Sequence, residues 1–132
     1  MKKILSFLAL SAMTCAVLVA CGMSKENTPE GVAKYAIHCM SEQKLEELVD
    51  CFDFSEGQRE KSLQALKEMK EAGAMGDIKI ESEVLNVQEG DRIDEAVVTV
   101  RMTYSNGEQP DEEDIELVNK DGEWKIKRGL FN

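Results

Sequence analysis

A single histidine, His38, stands among 132 residues, and the four cysteines at 15, 21, 39 and 51 form no CxxC pair and no Cys/His knuckle. That spacing argues against structural zinc and against a dithiol redox centre. Basic side chains are scarce as well, with 16 Lys and Arg against 26 Asp and Glu, a formal charge of −10 at pH 7. Such an excess repels phosphate backbones, so nucleic acid is not an expected partner. Aromatic residues make up only 5% of the chain, which leaves the core to aliphatic side chains. No serine elbow, second histidine or paired-acid spacing offers a catalytic constellation, and no internal repeat or low-complexity tract is present. The acidic run over residues 108–116, with Asp111, Glu112, Glu113 and Asp114, lacks the ligand spacing and glycine of an EF-hand. It reads as a solvated acidic loop. No metal and no cofactor are expected.

What the chain does have begins at its N-terminus. Lys2 and Lys3 precede an apolar run from 4 to 19 that only Ser6, Ser11 and Thr14 interrupt, with no acid before Cys21. The run is shorter than the roughly 20 apolar residues that span a bilayer, and no charge cluster follows it, so it reads as an export signal. Leu18-Val19-Ala20-Cys21 is similar to the lipobox of bacterial lipoproteins, in which the cysteine thiol is alkylated by diacylglycerol before cleavage. The expected organisation is a lipoprotein signal peptide over 1–20, a lipidated tether over 21–27 and one folded domain over 28–132. The expected address is the bacterial cell envelope, with membrane contact through the lipid on Cys21. Cleavage leaves 112 residues, enough for one core, with 14 basic against 26 acidic side chains and a formal charge of −12. Only Cys39 and Cys51 then remain for pairing. They could form one disulfide in an oxidising compartment or stay as buried thiols on helices.

Thr28-Pro29-Glu30 supplies an N-cap oxygen, a proline at the first helical position and an acid in the first turn. The first helix is predicted to run to about 40, with Val32, Ala36, Cys39 and Met40 as its apolar stripe. A second is predicted over about 41–52 on Leu45, Leu48, Val49 and Phe52. Ser55 and Gln58 form a capping-box signature for a third, which extends to about 71 and carries the narrow stripe Leu63, Leu66 and Met69, fit to cover one edge of a core. Gly73 and Gly76 end it, and the period then drops from 3.6 to 2. The first strand carries Ile78, Ile80 and Val84 on one parity and Leu85 and Val87 on the other, which predicts a bulge near 84–85. The second puts Ala96, Val98, Val100, Met102 and Tyr104 on one face. A loop follows from Ser105 through Pro110, the third strand is marked by Ile115 and Leu117, and the Asp121-Gly122 turn leads into a fourth containing Trp124 and Ile126. Helices first and an antiparallel meander after make the fold class α+β.

This order of elements, closing on Asp121-Gly122-Glu123-Trp124-Lys125-Ile126, resembles the nuclear transport factor 2-like, or ketosteroid-isomerase-like, superfamily. With the lipobox in front, the chain is similar to bacterial lipoproteins of the domain of unknown function 4878 type. The resemblance implies a cystatin-like cone: three N-terminal helices packed on a curved four-stranded antiparallel sheet, often with a pocket and with sheet-mediated dimers. It implies no activity. Tyr35, His38, Met102, Tyr104 and Trp124 are the candidate pocket residues, though all five also suit core packing or, for His38, a helix boundary. Arg101, mid-strand on the other parity, could meet an anion or pair with Glu83 or Glu116. Leu85, Val87, Val97 and Val118 could form an apolar strip for a homodimer through the sheet or for a protein partner. The leading functional expectation is a lipid-anchored envelope domain that binds a small ligand or an envelope protein without catalysis. The alternative is a cone-fold enzyme, isomerase- or hydrolase-like, which requires an ionisable residue to meet Tyr35, Tyr104 or Trp124 in a deep pocket.

Overall fold

A computed structural model describes residues 24–74 and 76–130, so the signal segment and Cys21 lie outside the described residues. Three helices, α1 (Pro29–Glu42), α2 (Leu45–Val49) and α3 (Glu56–Glu71), precede four strands. These are β1 (Ile80–Glu89), β2 (Glu95–Tyr104), β3 (Asp111–Lys120) and β4 (Glu123–Arg128), an antiparallel meander in sequence order. Among the described residues no helix is long and apolar enough to cross a membrane.

α1 begins as its sequence dictates. The Thr28 hydroxyl accepts the Gly31 N–H at 3.0 Å, and Pro29 occupies the first turn, where its missing N–H costs nothing. The helix buries Val32, Ala33, Ala36, Ile37 and Cys39, and these meet Val98, Val100 and Met102 of β2, Ile115 and Leu117 of β3 and Ile126 of β4 in one core.

α1 ends later than expected, and α2 is correspondingly shorter than the 41–52 helix read from the pattern. The reason is a Schellman closure: the Lys44 N–H bonds to the Cys39 carbonyl at 2.9 Å and the Gln43 N–H to that of Met40 at 3.3 Å. Gln43 sits at φ 58°, a position that glycine ordinarily takes. α3 starts with the full reciprocal capping box of Ser55 and Gln58. None of its side chains is fully buried, and it packs on α2 rather than on the sheet.

In the sheet, the register shifts between Val84 and Asn86, leaving Leu85 as the bulge residue and bringing Val87 opposite the inward-facing Val98. Leu85, Val87, Val97 and Val118 are therefore not one strip. Val97 and Val118 stand on the convex face, opposite Glu116 and Glu95, while Val87 has rejoined the concave side.

β3 corrects a second expectation, since the acidic residues 111–114 are its first four residues, not a loop. Cross-strand partners make this tolerable. Glu112 receives Arg101 at 2.9 Å, Asp114 receives the Thr99 hydroxyl at 2.7 Å, and Asp111 receives the Tyr104 hydroxyl at 2.8 Å. Asp121 at φ 55° and Gly122 at φ 89° make the two-residue turn of the β3–β4 hairpin. The free edge of β4 is covered by the segment after α2, the Ile126 N–H bonding to the Cys51 carbonyl at 2.7 Å.

Candidate functional site

The site follows from α3 standing away from the sheet. Its inner stripe of Ser62, Ala65, Leu66 and Met69 recurs at i, i+3, i+4 and i+7 and so shares one face. That face looks across a cleft of about 580 Å³ onto Met40 at the end of α1, Leu48 of α2, Ile78, Ile80 and Tyr104, with Glu108 and Asp111 at its mouth. An adjoining cleft of about 390 Å³ shares Met40, Ile80, Tyr104 and Asp111 and continues to Met102, Glu113 and Leu130. Tyr104 and Asp111 thus stand at the border of both.

Strand register explains how they meet. Tyr104 is the last inward-facing residue of β2, and the inward parity of β3 reads Asp111, Glu113, Ile115, Leu117, with Asp111 opposite Met102 and Glu113 opposite Val100. The inside of β3 is therefore acidic at the cleft and apolar beneath α1. The Tyr104 phenol is pushed up to about 12, by burial first and then by its hydrogen bond to Asp111. At neutral pH it remains a donor and fixes the orientation of the Asp111 carboxylate. Glu113 accepts the Leu130 N–H at 3.0 Å, and Glu108 accepts the Asn106 amide at 2.6 Å.

A hollow of about 350 Å³ at the opposite end of the molecule differs in character. Phe52 and Phe54 stack there with ring centroids 5.1 Å apart, beside Arg59, Lys120 and Lys125. Its charges are satisfied locally, Arg59 by Asp50 at 2.7 Å and Lys120 by Asp53 at 3.0 Å.

Of the five candidate pocket residues, the structure brings Tyr104 to both clefts and Met102 to the smaller one. Tyr35 and His38 sit earlier on α1, their ring centroids 6.2 Å apart, and line neither cavity. Burial, and then the adjoining Cys39, push the Tyr35 phenol up to about 12. His38 Nε2 is sealed from solvent and has no hydrogen-bond partner among the described residues. Trp124 is at the other end of the sheet, opposite Asn119, eight residues along β3 from Asp111 and so about 27 Å away.

Cys39 and Cys51 are both buried and both free thiols. Cys51 Sγ donates to the Glu47 carbonyl at 3.4 Å. Burial raises both thiols, Cys51 to about 12. Arg101 pairs with Glu112 and, at 3.8 Å, with Glu83, not with Glu116. No group of three metal-ligating side chains occurs among the described residues.

Sequence reasoning missed Met40, Leu66, Met69 and Asp111 as parts of one site. The signal was present in the Ser62-Ala65-Leu66-Met69 spacing, but a stripe facing a cleft and a stripe facing a core read alike.

No protein-family model and no curated protein matches the chain. Among solved structures it is similar to a Campylobacter jejuni protein designated an NTF2-like transpeptidase, at 19% identity and a TM-score of 0.56, over 77% of this chain and 99% of that one. Three helices, a four-stranded antiparallel open sheet after them and this likeness together give the chain the nuclear transport factor 2-like α+β cone fold.

Proposed function

We propose that this chain is a lipid-anchored domain of the bacterial cell envelope, of the domain of unknown function 4878 type, that binds a small ligand in the cleft beneath α3 without transforming it. The observation that carries the binding reading is the cleft itself. At about 580 Å³, with a mainly apolar lining and a Tyr104–Asp111 pair, it has the size and character of small-molecule sites. Its lining holds no histidine, cysteine or lysine. Support for the anchor comes from Leu18-Val19-Ala20-Cys21 behind its basic and apolar leader.

Ligand-detected NMR of the full chain against a library of small apolar metabolites tests the binding reading, with Leu66→Trp filling the cleft as the comparison. Compounds that bind wild type and not the variant are expected; a library that fails to separate the two would defeat the reading. For the anchor, Cys21→Ser is expected to abolish lipid labelling and membrane retention while the domain stays folded, and unchanged fractionation would refute it.

One observation favours the catalytic alternative: in Tyr104 and Asp111 an ionisable carboxylate does meet a tyrosine at the cleft. Turnover of a cleft-binding compound that Asp111→Asn abolishes would put that reading ahead.

A further inference from the structure

Resting on the binding reading and deepening it, we infer that the cleft takes a ligand with an apolar body and a positively charged head, a small organic ammonium. The charge pattern of the lining is one-sided. Asp111 stands at the border of both clefts, Glu108 lines the larger and Glu113 the smaller, and no lysine or arginine lines either cavity. Among the described residues none of these three carboxylates has a salt-bridge partner. Arg101, close in sequence, is spent on the convex side of the sheet against Glu112 and Glu83.

Two of the acids also break the strand's own pattern. Asp111 and Glu113 occupy inward parity, where Ile115 and Leu117 of the same strand are apolar and fully buried. A carboxylate placed inward faces whatever fills the cleft, and one placed outward would face water. The Tyr104 hydroxyl bonds to Asp111 Oδ2, which fixes the carboxylate and leaves Oδ1 to accept from a ligand. An anionic head would meet only like charges there. An ammonium would meet opposite ones, while Met40, Leu66 and Met69 shape themselves to its tail, the thioethers being the adaptable members.

Three probes with one apolar body separate the possibilities: 4-phenylbutylamine, 4-phenylbutanol and 4-phenylbutyrate. They are titrated calorimetrically into the full chain held in nanodiscs of zwitterionic lipid, with empty nanodiscs as the blank. The amine is expected to bind about fivefold tighter than the alcohol, the scale of one solvent-accessible charge pair, and the carboxylate more weakly than either. Raising the salt concentration is expected to shrink the amine's advantage. In the triple variant Glu108→Gln, Asp111→Asn, Glu113→Gln, which keeps an acceptor oxygen at each position, the amine and the alcohol are expected to bind alike. Equal affinity for all three probes in wild type, or an amine preference that survives in the triple variant, overturns the charge selectivity and leaves the binding reading standing. Binding of none of the three overturns the inference together with the reading beneath it.

Discussion

Removing one oxygen atom from Ser41 is expected to destabilise the domain out of proportion to its size. Ser41 is a buried polar residue, 6% exposed, at the end of α1, and its Oγ accepts the N–H of Ile80, the first residue of β1, at 2.9 Å. Ser41→Ala changes the packed volume little but leaves that N–H without an acceptor. An unsatisfied buried donor costs about 1–3 kcal/mol, and the part-buried setting of Ile80 places this one in the lower half of the range. Alanine recovers roughly 0.5 kcal/mol through better helix propensity. The net loss is about 1 kcal/mol, which for a domain of about 100 residues lowers Tm by about 4–8 °C. Circular dichroism melts and urea titrations of the full chain measure it, with an unchanged urea slope showing that the folded state is the same. Ser62→Ala on α3 is the comparison, a half-buried hydroxyl at the cleft that anchors no strand, and it is expected to leave Tm within about 1 °C. A Ser41→Ala domain as stable as wild type, or a Ser62→Ala domain as damaged, would refute the assignment of that bond.

Two further predictions test the cap and the core. A Cβ at Gly31 would lie 2.6 Å from the Glu26 carbonyl oxygen and 2.8 Å from Thr28 Oγ1, so Gly31→Ala is expected to displace the N-cap and cost about 1–3 kcal/mol in urea titrations, whereas Gly57→Ala, whose Cβ meets nothing, is expected to be neutral or stabilising. The buried Cys39 and Cys51 thiols are expected to resist alkylation until denaturant is added, and rapid labelling of the native chain would contradict their burial. Burial holds Cys51 protonated up to about 12 against an ordinary 9, and Tyr35 and Tyr104 up to about 12 against 10. The unfolded chain releases those protons first, so their contribution to stability is whole below pH 9 and is lost as the pH rises from 9 through 12. Urea midpoints constant across that interval would refute the shifts.

Local chemistry carried most of the fold into the sequence. Thr28-Pro29, the Ser55/Gln58 box, the parity break at Val84-Leu85 and Asp121-Gly122 each name a geometry that few other residues would serve, and each is where the structure has it. The junction of α1 and α2 was hidden because Gln43 fills a left-handed position without glycine's signature. The start of β3 was hidden because its acids look like loop until Arg101, Thr99 and Tyr104 are found opposite them. The site was legible in part. Met102 and Tyr104 follow from period 2, but the gap between α3 and the sheet is a matter of docking that periodicity does not encode, and opposite ends of a sheet share one parity, which is how Trp124 came to be grouped with Tyr104.

The clamp at Asn27 sets a direction. Its side chain donates to the Gly122 carbonyl at 2.7 Å and accepts the Trp124 N–H at 3.0 Å, pinning the incoming chain to the hairpin turn. From there α1 rises twelve residues, about 18 Å, to reach Met40 and the cleft. Any force or attachment upstream of residue 24 is therefore delivered at the hairpin, and the domain stands on that turn as on a foot. On the lipid anchor proposed above, the cleft would be the part of the domain farthest from the point of attachment.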